Sequence, residues 1–184
     1  MDTLAKQRMT VEEFLAWAEA QPEGRYELVQ GDVVRMSPER VRHVRGKYRI
    51  WRIFDDAVVA AGLTNEVLGD GIGVVVPQSK VRDPDVVVCL TGDHDPEALT
   101  VDDPLIIVEV VSPTSETTDT VDKLAEYFTI ASVHHYLIVR NEDGVVEHHA
   151  RSATGEIRKT VLTAGDTLRL APPGFEVPVA ALLG

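Results

Sequence analysis

The sequence predicts a mixed α/β protein with a central mixed β-sheet flanked by helices. Two segments, DPDVVVCL and PLIIVEVV, are almost continuously apolar, which is typical of strands buried on both faces. Amphipathic segments with helical spacing lie before and after them, so strands and helices are interspersed along the chain. Neither a repeat nor a long polar linker interrupts the 184 residues, and we therefore expect one domain spanning residues 1–184.

The N-terminal part predicts a helix followed by a hairpin. Thr10 and Glu13 have the spacing of a capping box, in which each side chain accepts from a backbone N–H of the other residue. They open the amphipathic segment TVEEFLAWAEA. The strands RYELV and DVVRM follow and are separated by Gln30 and Gly31, which is typical of a short β-hairpin.

Two further helices and several short strands complete the prediction. Residues 39–61 form the longest helical segment, which Gly62 ends, and residues 119–130 form a later one. The remaining predicted strands are short and are bounded by glycine, proline or other turn residues: NEVLG, IGVVVP, HHYLIVR, VVEHHA, EIRKTVL and DTLRLA.

Composition narrows the class of protein. Hydrophobic residues make up 44% of the chain and charged residues 26%, the profile of a globular protein. The single cysteine, Cys89, excludes an internal disulfide and a metal site with several thiolates. The N-terminal residues lack the apolar region of a signal peptide, and no apolar run approaches the ~20 residues of a membrane helix. We therefore expect a cytoplasmic protein that does not bind a membrane.

The charge is distributed unevenly. The net charge of −12 argues against broad, charge-driven binding to nucleic acid. Residues 35–52, however, contain seven basic residues and one acid. Four arginines in this segment recur at spacings of three and four, which places them in one stripe along the predicted helix: Arg42, Arg45, Arg49 and Arg52. Such a stripe either follows a phosphate backbone or pairs with an acidic protein surface.

Two acids stand out because they interrupt the most apolar strands. Glu109 lies within PLIIVEVV, and Asp85 lies at the start of DPDVVVCL. Burial of an unpaired carboxylate costs several kcal/mol. If the two strands pair, the acids converge, and a divalent cation relieves their repulsion; hard oxygen ligands favour Mg²⁺ or Mn²⁺. The alternative is that Glu109 pairs with a buried Arg or Lys and that Asp85 belongs to a turn.

The segments that carry these acids resemble the Uma-two family of endonucleases. The resemblance is carried by YELVQGDVVRMSP, DPDVVV, IIVEVVSPTSETTDTVDKLAEY and HHYLIV, and it covers residues 9–183. That family is a branch of the PD-(D/E)xK nuclease superfamily. The resemblance implies a restriction-endonuclease-like fold and a Mg²⁺- or Mn²⁺-dependent endonuclease that hydrolyses DNA phosphodiester bonds. A homodimer is compatible with cleavage of two strands.

The resemblance also implies roles for particular residues. Asp85 and Glu109 correspond to the two metal-binding acids of the motif, and Glu27 corresponds to an additional acid from the N-terminal part. The motif lysine is expected two residues after Glu109, where this chain has Val111. Lys123, on the following helix, corresponds to a lysine that has migrated in this family.

Other residues are expected to touch the substrate. His43 corresponds to a histidine at the start of the second helix, where it would contact phosphate or carry a proton. Arg42, Arg45 and Arg49 are candidates for phosphate contacts. The paired histidines at positions 134–135 and 148–149 do not predict a zinc site, since neighbouring residues on a strand point to opposite faces.

Several alternatives remain open on the sequence alone. The protein could be a catalytically inactive nuclease-fold module that binds DNA or protein, or a structural partner whose arginine stripe binds an acidic protein. Lys123 could pair with Asp119, four residues earlier, rather than act in catalysis. Two further departures from the family are Arg140, where an acidic turn is usual, and Gln30, often an aspartate.

Overall fold

The computed structural model describes residues 8–21, 23–111 and 118–184, and within them it confirms the mixed α/β class. The helices are α1 (Val11–Glu19), α2 (Val41–Ala60), α3 (Thr118–Tyr127) and α4 (Val179–Leu183). The strands are β1 (Tyr26–Val29), β2 (Asp32–Arg35), β3 (Val67–Gly69), β4 (Gly73–Val76), β5 (Lys80–Arg82), β6 (Val86–Cys89), β7 (Thr100–Val101), β8 (Pro104–Val110), β9 (His135–Arg140), β10 (Val145–Arg151), β11 (Ile157–Thr163), β12 (Thr167–Leu170) and β13 (Phe175–Pro178).

The strands of the described residues form two larger sheets and a two-stranded hairpin. The six-stranded sheet has the order β11-β10-β9-β8-β6-β3, and the five-stranded sheet has the order β2-β1-β5-β4-β7. The first is mixed, because β8 and β9 run parallel while its other neighbours are antiparallel. It corresponds to the predicted central sheet. The sequence did not predict that the N-terminal hairpin would join a separate sheet.

Hydrophobic cores cover both faces of the six-stranded sheet. On one face, α2 packs Ile50, Phe54 and Val58 against the strands, and α4 and the β12–β13 hairpin extend the same core. On the other face, Tyr127 of α3 and Tyr136 of β9 join valines from the five-stranded sheet. The two sheets and α3 therefore meet on the face opposite α2.

A β-bulge changes the predicted alternation of β8. Alternation predicts that Leu105, Ile107, Glu109 and Val111 share one face, but Leu105 packs in the α2-side core while Ile107 packs in the other. The pairing of β6 with β8 shifts between Val88 and Cys89 and leaves Leu105 as the extra residue of β8. Its side chain therefore points to the opposite face from the one that alternation predicts. The prediction was wrong for Leu105.

The local predictions of the N-terminal part hold. The capping box of α1 forms, with the Thr10 side chain accepting from Glu13 N–H and the Glu13 carboxylate accepting from Thr10 N–H. Gln30 and Gly31 have φ values of 52° and 86° and connect β1 to β2, as expected for a tight hairpin whose central residues are both left-handed.

The boundaries of two helices differ from the prediction. The second helix begins at Val41, later than predicted, and the helix that starts at Thr118 ends at Tyr127 instead of residue 130. Within the described residues, none of the helices is both long and apolar enough to cross a membrane.

Candidate active site

The two predicted acids belong to neighbouring strands of the six-stranded sheet. Asp85 directly precedes β6 and Glu109 lies in β8, and these strands form an antiparallel pair in which Val86 faces Val108. Both residues are buried, with 6% and 8% of their surface exposed. The backbone N–H of Val110 donates a 2.6 Å hydrogen bond to Oδ2 of Asp85. The structure thus brings Asp85 and the Glu109 segment together.

Asp85 is neutralised by a buried lysine of α2. Nζ of Lys47 lies 3.1 Å from Oδ1 of Asp85 and donates to Glu39 at 2.6 Å and to Asp70 at 2.7 Å. Burial alone lowers the pKa of Lys47, but the Asp85 charge and the hydrogen bonds to Asp70 and Glu39 outweigh it and raise the pKa above its usual value. The Lys47 ammonium therefore stays charged. Burial raises the pKa of Asp85, and the Lys47 charge opposes that rise.

Glu109 is held by two side chains of α3. Nζ of Lys123 lies 3.3 Å from Oε1 of Glu109, and the hydroxyl of Tyr127 donates to the same oxygen at 3.2 Å. Burial raises the pKa of Glu109 to about 8, because the neighbouring charge of Lys123 lowers it only in part while Asp85 and Glu27 raise it further. When no metal ion is bound, the raised pKa therefore favours the protonated form of Glu109 at neutral pH.

Glu27 reaches the same place from the five-stranded sheet. Its Oε1 lies 3.3 Å from Nζ of Lys123 and accepts a 3.2 Å hydrogen bond from Asp83 N–H. Its Oε2 accepts from Arg82 at 2.9 Å. Lys123 therefore bridges Glu27 and Glu109, which lie on different sheets. The Asp119 side chain, proposed as an alternative partner of Lys123, lies outside the described residues.

His43 lies between Asp85 and an open groove. Its Nε2 is 3.8 Å from Oδ2 of Asp85 and 3.9 Å from Oε2 of Glu39. One donor atom from each of these three residues lies within 4.8 Å of the others, so the group could hold a metal ion. Two carboxylates and an imidazole suit a hard or borderline divalent cation such as Mg²⁺ or Mn²⁺.

The predicted arginines line the groove beside His43. Arg42, Arg45 and Arg49 border a groove of about 710 Å³ that also contains His43. Nη2 of Arg42 lies 2.7 Å from the Glu142 carboxylate, so part of its charge is already balanced. The structure places these three predicted residues along one groove, and His43, which also lines it, reaches Asp85.

Sequence analysis missed Lys47, although the sequence contains a signal for it. Lys47, Ile50, Phe54 and Val58 follow one another at helical spacing, and together with Gly46 they form the buried face of α2. A lysine on such a face needs buried anionic partners. The apolar stripe that helical spacing indicates most readily is a different one, namely Val41, Val44, Tyr48 and Trp51. Two of its members, Val41 and Tyr48, are each 66% exposed.

The departures from the family pattern lie outside this cluster of acids. Arg140 pairs with Glu147, Nε to Oε1 2.7 Å, on the neighbouring strand β10. Gln30 lies in the hairpin turn between β1 and β2. Val111, at the position of the motif lysine, follows β8 and packs, partly buried, against the core shared with α3. The lysine that contacts Glu109 is Lys123.

A mixed sheet with opposed buried acids and a nearby lysine is the architecture that the PD-(D/E)xK resemblance implied. The chain belongs to the Uma2 family, described as "Putative restriction endonuclease", whose family profile matches residues 11–180. The resemblance drawn from the sequence is therefore confirmed.

A solved structure shares the fold. It is the crystal structure of a "putative nuclease belonging to DUF820" from Anabaena variabilis, with a TM-score of 0.75 and 12% sequence identity, and the similarity covers 95% of this chain and 97% of the other. At this identity the likeness establishes the fold alone. No relative was found among curated protein sequences.

Proposed function

We propose that this protein is a metal-dependent endonuclease that hydrolyses DNA phosphodiester bonds, with residues 1–184 forming one nuclease domain. The observation that carries the proposal is the pair of buried acids, Asp85 directly before β6 and Glu109 in the neighbouring strand β8, with Lys123 beside Glu109. Membership of the Uma2 family supports the same reaction. Two copies acting together would cut both strands of a duplex.

Asp85 and Glu109 would hold a Mg²⁺ or Mn²⁺ ion. His43 and Glu39 offer further donor atoms next to Asp85, which supports binding of an ion there. When bound, such an ion polarises a phosphodiester oxygen and makes hydroxide available near neutral pH by lowering the pKa of its water. Glu109 must lose its proton to serve as a ligand, and the neighbouring Lys123 ammonium favours that loss.

Lys123 would stabilise the negative charge that develops on the scissile phosphate. Its ammonium is oriented by Glu27 and Glu109, each 3.3 Å away, so it need not be reorganised during the reaction. Tyr127 fixes the Glu109 carboxylate from the same helix. His43, which lies 3.8 Å from Asp85 and borders the groove, is placed to contact a phosphate oxygen or to carry a proton.

The arginine groove would receive the DNA backbone next to these acids. Arg45 and Arg49 line it together with Arg42. Because the chain carries a net charge of −12, binding depends on this local positive patch, and added salt should weaken it strongly.

A nicking assay on supercoiled plasmid with Mg²⁺ or Mn²⁺ tests the proposal. We expect the wild type to cut the plasmid and both Asp85→Asn and Glu109→Gln to abolish cutting, because each variant keeps the shape of the site and removes a ligand charge. Asp56→Asn, which changes an exposed acid of α2, is the matched control and should cut normally. A wild type without activity, or variants with full activity, would contradict the proposal.

One observation favours a second candidate, a DNA-binding module without catalysis. Lys47 lies 3.1 Å from Asp85 and Lys123 lies 3.3 Å from Glu109, so protein cations already face both acids. This candidate predicts that the protein retains fluorescently labelled DNA equally well with and without divalent ions and never cleaves it. Metal-dependent cleavage that Asp85→Asn abolishes would exclude it.

A further inference from the structure

A second group of metal-binding side chains lies at the other end of β6. The strand ends at Cys89, whose side chain is fully buried, and the connection from β6 to β8, which includes the short strand β7, carries His94 and Asp103. One donor atom from each of these three residues lies within 4.8 Å of the other two. Asp85 precedes Cys89 by four residues, about 13 Å along an extended strand, so this group is separate from the proposed nuclease site.

The histidine of this group is held in a fixed orientation. Nδ1 of His94 is 2.7 Å from Oε2 of Glu66, and its Nε2 is 2.9 Å from Oδ1 of Asp103. In many metal sites a carboxylate fixes one ring nitrogen of a histidine so that the other nitrogen faces the ion. Glu66 occupies that position here, and Nε2 is the nitrogen turned toward Asp103.

The aspartate is oriented in the same way. Its Oδ2 accepts hydrogen bonds from the backbone N–H of Thr91 at 2.9 Å and from the Thr91 hydroxyl at 3.0 Å. Its Oδ1 is left to face His94. Two of the three donor groups are thus fixed by neighbours that are not themselves donors to the ion.

We propose that Cys89, His94 and Asp103 bind a zinc ion, with Glu66 positioning His94. One sulfur, one imidazole nitrogen and one carboxylate oxygen are ligands that Zn²⁺ accepts, whereas Mg²⁺ selects oxygen ligands and does not favour a thiolate. Three protein ligands leave the fourth tetrahedral position to water. The ion takes the place of the protons on Cys89 Sγ and on His94 Nε2, and both protons pass to the solvent.

The ion would reach the site from the loop side. The His94 and Asp103 side chains keep 15% and 20% of their surface exposed, while Cys89 lies at the inner end. Binding would fasten the loop between β6 and β8 to the sheet. The expected consequence is a higher melting temperature in the presence of zinc, since the ion binds the folded chain.

Cobalt titration of the chelator-treated, full-length protein tests the site, because Co²⁺ bound to a thiolate absorbs in the near ultraviolet. We expect the wild type to develop this band as one ion binds at the thiolate, whatever cobalt the nuclease site also takes up, and Zn²⁺ to remove it. Glu66→Gln should weaken binding about 10- to 100-fold, since it alters only the partner of the histidine. Asp85→Asn should develop the same band as the wild type, which separates this site from the nuclease site.

Two ligand variants decide the outcome. Cys89→Ser should eliminate the band, and because Cys89 is buried its folding is checked by circular dichroism. His94→Gln changes a loop residue and should also lose the thiolate band while keeping the circular dichroism spectrum of the wild type. Failure of the wild type to develop a thiolate band, or an undiminished band in folded His94→Gln, would overturn the proposal. Excess Mg²⁺ should leave the thiolate band unchanged, and loss of the band on addition of Mg²⁺ would also contradict a thiolate site.

Discussion

The two ends of β6 carry polar clusters that balance charge in different ways. At the Asp85 end, two buried lysines balance the buried acids: Lys47 lies beside Asp85, and Lys123 lies beside Glu109. At the Cys89 end, His94 lies between two carboxylates and remains in contact with solvent. Burying the charges of the first cluster carries a large desolvation cost, which a bound cation or substrate can offset. The charges of the second cluster keep contact with solvent, so their desolvation cost is smaller.

The sharpest way to test this difference is to remove Lys47. Lys47→Met deprives buried Asp85 of its closest cation and should destabilise the metal-free protein by about 3–5 kcal/mol in urea unfolding. Lys159→Met is the matched control, because Lys159 is half exposed and its partner Glu147 keeps a second cation, Arg140. The control should cost about 1 kcal/mol or less. Equal losses in the two variants would show that the Asp85 end is no more costly than the surface.

The next largest expected effect is the loss of cleavage rate on removal of Lys123. Lys123→Met should lower the rate of plasmid cleavage at saturating Mg²⁺ by about 10²- to 10³-fold, as removal of one oriented charge-stabilising donor does. Lys80→Met is the control. Lys80 lies on β5 and pairs with Glu126 of α3, the helix that also carries Lys123, and it does not contact Glu109. A Lys123→Met variant that cleaves at the wild-type rate would assign Lys123 a structural role.

The pH dependence of stability sharpens the comparison further. The pKa of Glu109 is about 8 in the folded protein, above its ordinary value of 4.5, so its favourable contribution is fully present below pH 4.5 and is lost as the pH rises toward 8. With chelator present, the stability of the wild type relative to Glu109→Gln should fall by about 1.4 kcal/mol per pH unit within this window. A difference that does not change between pH 5 and pH 8 would contradict this account of Glu109.

The smallest expected effect is the pH-dependent contribution of His94, at the Cys89 end, to the stability of the fold. Hydrogen bonds to Glu66 and Asp103 raise the pKa of His94, so the stability it contributes is present below pH 6.5 and is lost as the pH rises through its higher folded value. With chelator present, His94→Gln should cost about 1 kcal/mol at pH 6 and less at pH 9. Urea unfolding at the two pH values measures this, and a larger cost at pH 9 would be inconsistent with a bridged, protonated histidine.

The Asp85 end could be predicted because its signal is local. Asp85 and Glu109 each interrupt a short apolar strand, and strands of that kind pair in the centre of a sheet. Glu27 and Lys123 were predicted from the family resemblance, and the structure places them next to Glu109. Their catalytic roles stay predictions until activity is measured.

The Cys89 end could not be predicted, because its residues are scattered along the chain. Glu66, His94 and Asp103 lie in connecting segments, and their meeting depends on the path of the loop between β6 and β8. The β-bulge that places the Leu105 side chain on the unexpected face of the sheet depends in the same way on how two strands pair. Such features follow from long-range packing, which spacing along the sequence does not report.

The partition into two sheets was also outside the reach of the sequence. The hairpin of β1 and β2 was predicted, but its partner β5 has only three residues and no distinctive pattern. Pairing between short strands is decided by the surfaces that cover them, here by α1 and the core around Leu28.

Calorimetric titration with Mg²⁺ tests the central claim most directly, because Mg²⁺ suits the carboxylates of the Asp85 end and not the thiolate of the Cys89 end. The wild type and Asp56→Asn should bind Mg²⁺ with release of heat or protons, while Asp85→Asn and Glu109→Gln should show no binding at millimolar concentration. Absence of binding by the wild type, or unchanged binding by both variants, would contradict the claim that Asp85 and Glu109 hold the metal of a nuclease.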